Sequence, residues 1–223
     1  MDGHKVSLEG LDQLTLETTP DGQVDAFSAR FPGQLDFVQR DGDLSVLTRG
    51  LGAEYHREGE RLTLDFAEAD VALRSQGLTA HIEGGAALLD RQQLQIQVER
   101  AQVMKALGTD LDVEVEDLTL RLTRSEQGAL QGLDLALGNL DAHVAGMDVL
   151  VRTPSGERVR LSLTADADGN TIKQAFLQIP EGGELRLTRD DLDVRLGGQR
   201  ISFEHGDDGV YRLRGEGLDI DAK

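Results

Sequence analysis

The sequence predicts an all-β fold in which many antiparallel, kinked strands form a folded-over sheet, V-shaped and jellyroll- or taco-like, or an elongated solenoid-like double layer. Three observations carry that expectation. Apolar and polar residues alternate through most of the chain, the alternation slips by one residue at intervals, and glycine-bearing turn sequences separate the alternating runs.

The alternation appears early, in HKVSLEGLDQLTLE, and becomes strict in RLTLDFAEADVALR (61–74). There Leu62, Leu64 and Phe66 share one face, and after a step of three residues Ala69, Val71 and Leu73 continue it. QLQIQVERAQV (93–103) repeats the device with Leu94, Ile96 and Val98, then Ala101 and Val103. The run from 110 to 123 sets Leu111, Val113 and Val115 before the step and Leu118, Leu120 and Leu122 after it. In 132–151 the series is Leu133, Leu135, Leu137, then Leu140, Ala142, Val144, then Met147, Val149, Val151. A helix would also place Leu133, Leu137, Leu140, Val144, Met147 and Val151 at heptad spacing. It would leave Leu135, Ala142 and Val149 in water and put Gly138 and Gly146 in helix interiors, at about 1 kcal/mol each. The strand reading wastes none of these residues.

Within a flat strand the inward parity cannot change, so each three-residue step is read as a bulge or sharp bend. Long strands that each bend make a sheet that doubles over. Between the runs lie TPDGQ (19–23), RDGD (40–43), REGE (57–60), TPSGE (153–157), DADGN (166–170), PEGGE (180–184) and HGDDG (205–209), sequences suited to tight turns. Roughly 15 strand-like segments fill the chain. Two stretches, 84–93 and 99–108, could hold a turn of helix or a corner, since Ala, Leu, Gln, Met and Lys favour helix. No linker or shift of composition divides residues 1–223, which are read as a single continuous all-β domain.

Composition narrows the function. The 223 residues carry 41 acidic against 23 basic side chains, net −18, a field that repels phosphate backbones and anionic membrane surfaces. Nucleic acid is therefore not expected as a partner. Cysteine is absent, which removes disulfides and thiolate metal sites. No apolar run is long enough to span a bilayer as a helix, and the N-terminus lacks the apolar stretch of a signal peptide. The chain is accordingly read either as cytoplasmic or as a mature segment with an added start Met. Tryptophan is missing and aromatics make up 4%, so the interior is built from Leu, Val, Ile and Ala, and stacking on sugars or bases is disfavoured.

Candidate chemistry is sparse. His4, His56, His81, His143 and His205 show no metal-ligand spacing, and His81 and His143 occupy outward strand positions. DADGN, with Asp166, Asp168 and Asn170, lacks the glycine and the bidentate Glu of a calcium loop, since Thr171 and Leu177 stand at those places. It reads as a hairpin turn. Ser155 sits in a Pro-Ser-Gly turn, outside any nucleophile motif. Pairs such as Asp190 with Asp191 and Glu114 with Glu116 read as solvated faces. No metal, cofactor or catalytic residue is expected, and the chain is not expected to be an enzyme. A glycan hydrolase would need two carboxylates in a cleft about 5 to 9 Å apart.

The largest coherent feature is the aliphatic interior, which suits a closed core or, if the folded sheet stays open along one edge, an acyl-chain groove. Phrases such as VYRLRGEGLDIDAK (210–223), DLDVEVEDLTLRL and GLDLALGNLDAHV resemble the β-jellyroll or β-taco domains of bacterial lipid-transport proteins, including periplasmic lipopolysaccharide-transport components and AsmA-like bridge proteins. The resemblance implies a periplasmic or cell-envelope, non-enzymatic domain that shields lipid acyl chains and joins similar domains edge to edge. It maps the groove lining onto Leu111, Val113, Val115, Leu118, Leu120, Leu122, Leu133, Leu135, Leu137, Leu140, Val144, Met147, Val149 and Val151. The alternative expectation is a structural or protein-interaction β-sandwich or solenoid with a sealed core. On either reading the N-terminal strands and those in 210–223 are the expected sheet edges.

Overall fold

A computed structural model describes residues 5–8, 12–39, 42–105, 110–206, 209–215 and 218–222. Its strands are β1 (Lys5–Leu8), β2 (Gln13–Thr18), β3 (Val24–Val38), β4 (Leu44–His56), β5 (Arg61–Leu73), β6 (Leu78–Leu89), β7 (Gln93–Lys105), β8 (Leu111–Arg124) and β9 (Leu130–Leu137). They continue as β10 (Asn139–Val144), β11 (Met147–Arg152), β12 (Val159–Ala165), β13 (Ile172–Gln178), β14 (Glu184–Arg189), β15 (Leu192–Gly197), β16 (Arg200–His205), β17 (Tyr211–Gly215) and β18 (Leu218–Ala222). All 18 belong to one antiparallel sheet that stays open and does not close into a barrel.

The three-residue steps mark a crease across this sheet. Strands β4 and β5 pair at Arg49↔Glu68 and resume at Gly52↔Asp65. At the same place a gap of one residue on each strand, against two between β4 and β5, separates Glu68↔Glu83 from Phe66↔Gly85, Glu83↔Arg100 from Gly85↔Val98, and Arg100↔Glu116 from Val98↔Leu118. The residues skipped, among them Gly50, Ala67, Gly84, Glu99 and Asp117, line up from strand to strand. Gly50, Gly84 and Asp117 take φ of 65°, 57° and 53°. Asp is among the few side chains that tolerate that region, and here it lets β8 bend without a glycine. Gly138 continues the line: its N–H donates to the Glu116 carbonyl at 3.0 Å, and it separates β9 from β10. Because the bend drops one pair, residues on either side of it point to the same face.

The crease divides the sheet into two arms. Arm I runs through β1, the second half of β3, the first half of β4, the second half of β5, the first half of β6, the second half of β7, the first half of β8, then β10, β11, β14 and β15. Arm II runs through β2, the complementary halves of β3 to β8, then β9, β12, β13, β16, β17 and β18. Where β3 to β8 bend, the later chain crosses by segments: Thr153–Arg158 leads from β11 to β12, Ile179–Gly183 from β13 to β14, and Gly198–Gln199 from β15 to β16.

The core sits inside the crease, where both arms contribute. Val98, Ala101, Val115, Leu137, Val151, Val159 and Ile179 form the buried cluster, with Ile82, Ile96, Leu118, Leu135, Leu140, Leu177, Leu185 and Leu196 packed on it. Val151 is the most buried, at 1% exposure.

Several expectations are corrected. Neither 84–93 nor the described part of 99–108 forms a helical turn; β6 and β7 run through them, and the corner reading is the one realised, at Gly84 and Glu99. Pairing on both sides outweighs the weak helix propensity of these residues. The only helical turn among the described residues is the 3₁₀ segment Arg74–Gln76. The step from Val144 to Met147 is a two-residue hairpin turn, with Ala145 and Gly146 at φ 52° and 76°, and not a bend within a strand. TPSGE and PEGGE carry the chain across the crease instead of closing hairpins. DADGN does close one, between β12 and β13. RDGD and HGDDG lie partly outside the described residues, as do residues 106–109.

Candidate functional site: an aliphatic trough

The inner faces of the arms are built from rows of side chains that run across the strands. In arm I the row nearest the crease joins Thr48, Ala69, Ile82, Ala101, Val115, Leu140, Val151, Leu185 and Leu196. The next joins Val46, Val71, Ala80, Val103, Val113, Ala142, Val149, Leu187 and Val194. The row at the lip joins Leu44, Leu73, Leu78, Lys105, Leu111, Val144 and Met147. Arm II answers with Ala53, Leu64, Ala87, Ile96, Leu120, Leu135, Leu161, Leu177 and Ile201. Its lip row is Phe27, Tyr55, Leu62, Leu89, Leu94, Leu122, Leu133, Leu163, Ala175, Phe203 and Leu213. With neighbouring strands about 4.8 Å apart, the eleven strands of arm I and thirteen of arm II give a trough about 50 to 60 Å long.

The expected lining residues divide between the arms. Leu111, Val113, Val115, Leu140, Val144, Met147, Val149 and Val151 stand on the inner face of arm I, and Leu118, Leu120, Leu122, Leu133, Leu135 and Leu137 on that of arm II. That set covers only the middle strands. Leu161, Leu163, Leu185, Leu187 and Leu196 extend the same surface and carry the same alternation in RVRLSLTA, ELRLTR and LDVRLG, so the pattern could have located them too.

Burial falls from crease to lip. Ala69, Ala101, Val115 and Val151 are buried in the crease row of arm I, Val98, Leu137, Val159 and Ile179 are buried beside the bend, and Ala142 one row out, whereas the lip rows hold no buried side chain among the described residues. At the strand tips Leu89, Leu130 and Leu192 stand 44%, 46% and 55% exposed. A hollow of about 150 Å³ opens between β9, β12 and the DADGN turn, lined by Leu130, Leu133, Leu163 and Ile172. Edge strand β2 exposes Leu14 and Leu16 still further.

The outer faces are polar and paired. Arg49 meets Glu68 at 2.5 Å, Arg100 meets Glu116 at 3.0 Å, and Arg152 meets Asp141 at 3.1 Å. Arg186 and Arg195 face each other across β14 and β15, and Asp193 accepts from both, at 2.9 and 3.1 Å. Those two guanidinium groups, Arg186 first, hold the Asp193 carboxyl down to about 2. His81 and His143 stand outward, as expected, each 2.6 Å from a carboxylate, Asp70 and Asp148 respectively. These hydrogen bonds raise both imidazoles above their ordinary value.

On the outside of arm I a shallow hollow of about 390 Å³ is lined by Val38, Leu47, Ala72, Met104, Asp70 and His81, among others. Asp166 serves the turn: its Oδ1 accepts the Asn170 N–H at 2.8 Å. Among the described residues no three His, Asp or Glu side chains converge to hold a metal ion. His4 lies outside the described residues. What the arrangement offers is a long apolar surface, partly covered, between charged exteriors. Comparisons with family models, curated proteins and solved structures return no match.

Proposed function

We propose that the chain binds and shields lipid acyl chains in the trough between its arms, without catalysis, in the bacterial cell envelope. The observation that carries this reading is the burial gradient. A sandwich core would be sealed to its margins, whereas here the aliphatic rows go on past the buried crease toward open lips. Branched and straight aliphatic side chains suit disordered tails, which need no placed hydrogen-bond partners. The periplasmic setting rests on the resemblance to lipid-transport domains alone.

The test is mass spectrometry of the organic extract from gently purified protein, alongside displacement of an apolar dye. Stoichiometric lipid supports the reading. A clean extract together with no dye binding overturns it. Val115 is a poor place to probe the trough because it is buried at the crease, where Asp would unfold the sheet. Leu122→Asp and Leu133→Asp sit in the half-buried lip row and should abolish lipid retention in a folded protein.

The second reading, a protein-interaction module, is favoured by the edges. β1 and β2 pair only with β3, and β18 only with β17, as expected for the terminal segments. The edge of arm I at the other end is β15, which pairs only with β14 and was not among the expected edges. Exposed Leu14 and Leu16 on β2 would extend the arm II rows into a similar domain added at that edge.

A further inference from the structure

We propose that Lys105 receives the anionic head of an amphiphile whose tail lies in the trough; this rests on the acyl-chain reading above and names the class of lipid. Lys105 ends β7 on the parity of Ala101 and Val103, so it belongs to the inner face of arm I. Its register partners are Leu78 on β6 and Leu111 on β8, and it is half-buried in that aliphatic row. The four-carbon stem covers apolar surface there while the ammonium reaches for the mouth of the trough.

Its electrostatic setting sets Lys105 apart. In a chain with 41 carboxylates, the outer-face arginines at positions 49, 100, 152 and 186 each meet one within 2.5 to 3.1 Å. The other cation on the parity of this row, Arg189, stands 3.9 Å from Asp190. No carboxylate among the described residues lies within ion-pair distance of Lys105. The three rows of the inner face hold no Asp or Glu either, so nothing in the lining competes for the amine. From Ala101 at the crease to Lys105 at the lip is about 13 Å of strand, a depth of apolar wall below the charge. An unpaired cation above a greasy wall is the complement of a carboxylate or phosphate head on an aliphatic tail.

The experiment uses the full chain and displacement of the neutral dye N-phenyl-1-naphthylamine by oleate, by oleyl alcohol with the same tail and no charge, and by acetate with the head and no tail. Lys105→Gln should weaken oleate about tenfold, the scale of a lost charge-assisted hydrogen bond, and leave oleyl alcohol within about twofold. Lys105→Arg should restore most of the oleate affinity, and added salt should weaken oleate but not oleyl alcohol on the native protein. Acetate should displace nothing. Equal loss of oleate and oleyl alcohol in Lys105→Gln would reduce the lysine to a packing stem and overturn the proposal. So would an unchanged oleate affinity, or native binding of oleate that is indifferent to salt. Failure of both oleate and oleyl alcohol to displace the dye from the native chain would instead overturn the acyl-chain reading.

Discussion

Three valines on neighbouring strands measure whether the trough is open. Val151 lies in the crease row at 1% exposure, Val149 is half-buried one row out on the same strand, and Val144 is half-buried in the lip row of β10. Each Val→Ala change removes two carbons from the same kind of site, so differences report burial and not chemistry. At Val151 the lost transfer energy, about 0.8 kcal/mol per carbon, adds to the cost of a cavity that the packed arms cannot close, for a total of about 2 to 2.5 kcal/mol. At Val149 and Val144 part of each methyl already faces solvent, and the cost should fall to about 1 kcal/mol or less. Urea unfolding monitored by far-ultraviolet circular dichroism resolves this. With an m-value of about 2.5 kcal/mol/M, Val151→Ala should lower the midpoint by about 0.9 M and Val144→Ala by about 0.4 M or less. Equal shifts of about 0.9 M for all three would mean that the arms close on each other along their full height. The trough would then be a sealed core.

The remaining expectations probe the crease, its polar exceptions and the outer face. A Cβ at Gly85 would overlap the Phe66 ring, so Gly85→Ala should cost about 1 to 3 kcal/mol in the same assay, and a Phe66→Leu background should recover part of it; full cost in both backgrounds refutes the contact. The Thr48 hydroxyl is buried without a partner, so the near-isosteric Thr48→Val should stabilise by about 1 kcal/mol, and a lower urea midpoint would show that the hydroxyl is satisfied. His143 gains Asp148 on folding and its imidazole is raised. Its contribution is therefore complete below the ordinary histidine value and is lost as pH rises through the raised one. A proton NMR titration should show His143 returning toward the ordinary value in Asp148→Asn, and an unchanged midpoint would refute the pair. Any self-association should run through sheet edges, so an oligomer seen in sedimentation that survives deletion of 210–223 would exclude the β17–β18 edge.

Much of this fold was legible because β-structure writes itself into the chain at period two. The steps at Phe66–Ala69, Val98–Ala101, Val115–Leu118 and Leu137–Leu140 each mark a point of the crease, and a local pattern suffices because the bend itself is local. The step from Val144 to Met147 looks the same and has a different cause. A two-residue hairpin turn also displaces the apolar series by three, and only the positive φ of Ala145 and Gly146 separates the cases. Which strand edge remains free was not legible. β15 becomes the margin of arm I because PEGGE carries the chain back across the crease, an outcome of long-range pairing that residues 192–197 do not record. Lys105 escaped notice for a related reason. In ERAQVMKALG it reads as one polar residue among helix formers, and its inward parity appears only once β7 is paired with β6 and β8.

The burial gradient and the net charge of −18 bear on the same question from opposite sides. Like charges on the outer faces repel one another and favour arms that spread, while the apolar rows inside favour arms that close. At the crease the rows win, since the bend brings Val98, Ala101, Val115 and Val151 together at no further cost in chain entropy. Toward the lips burial falls, the gain per residue shrinks with it, and Leu89, Leu130 and Leu192 stay exposed. On the proposed function, a tail lying between the lip rows would supply the missing contact. Binding should therefore stabilise the chain with the logarithm of ligand concentration over dissociation constant, so that at equal concentration the melting temperature rises most for tails long enough to reach both rows and bind more tightly. Oleate and octanoate, at equal multiples of their dissociation constants, should raise it equally if they merely bind the same native state. An excess for oleate at matched saturation would mean that more than one molecule lies in the trough of each chain.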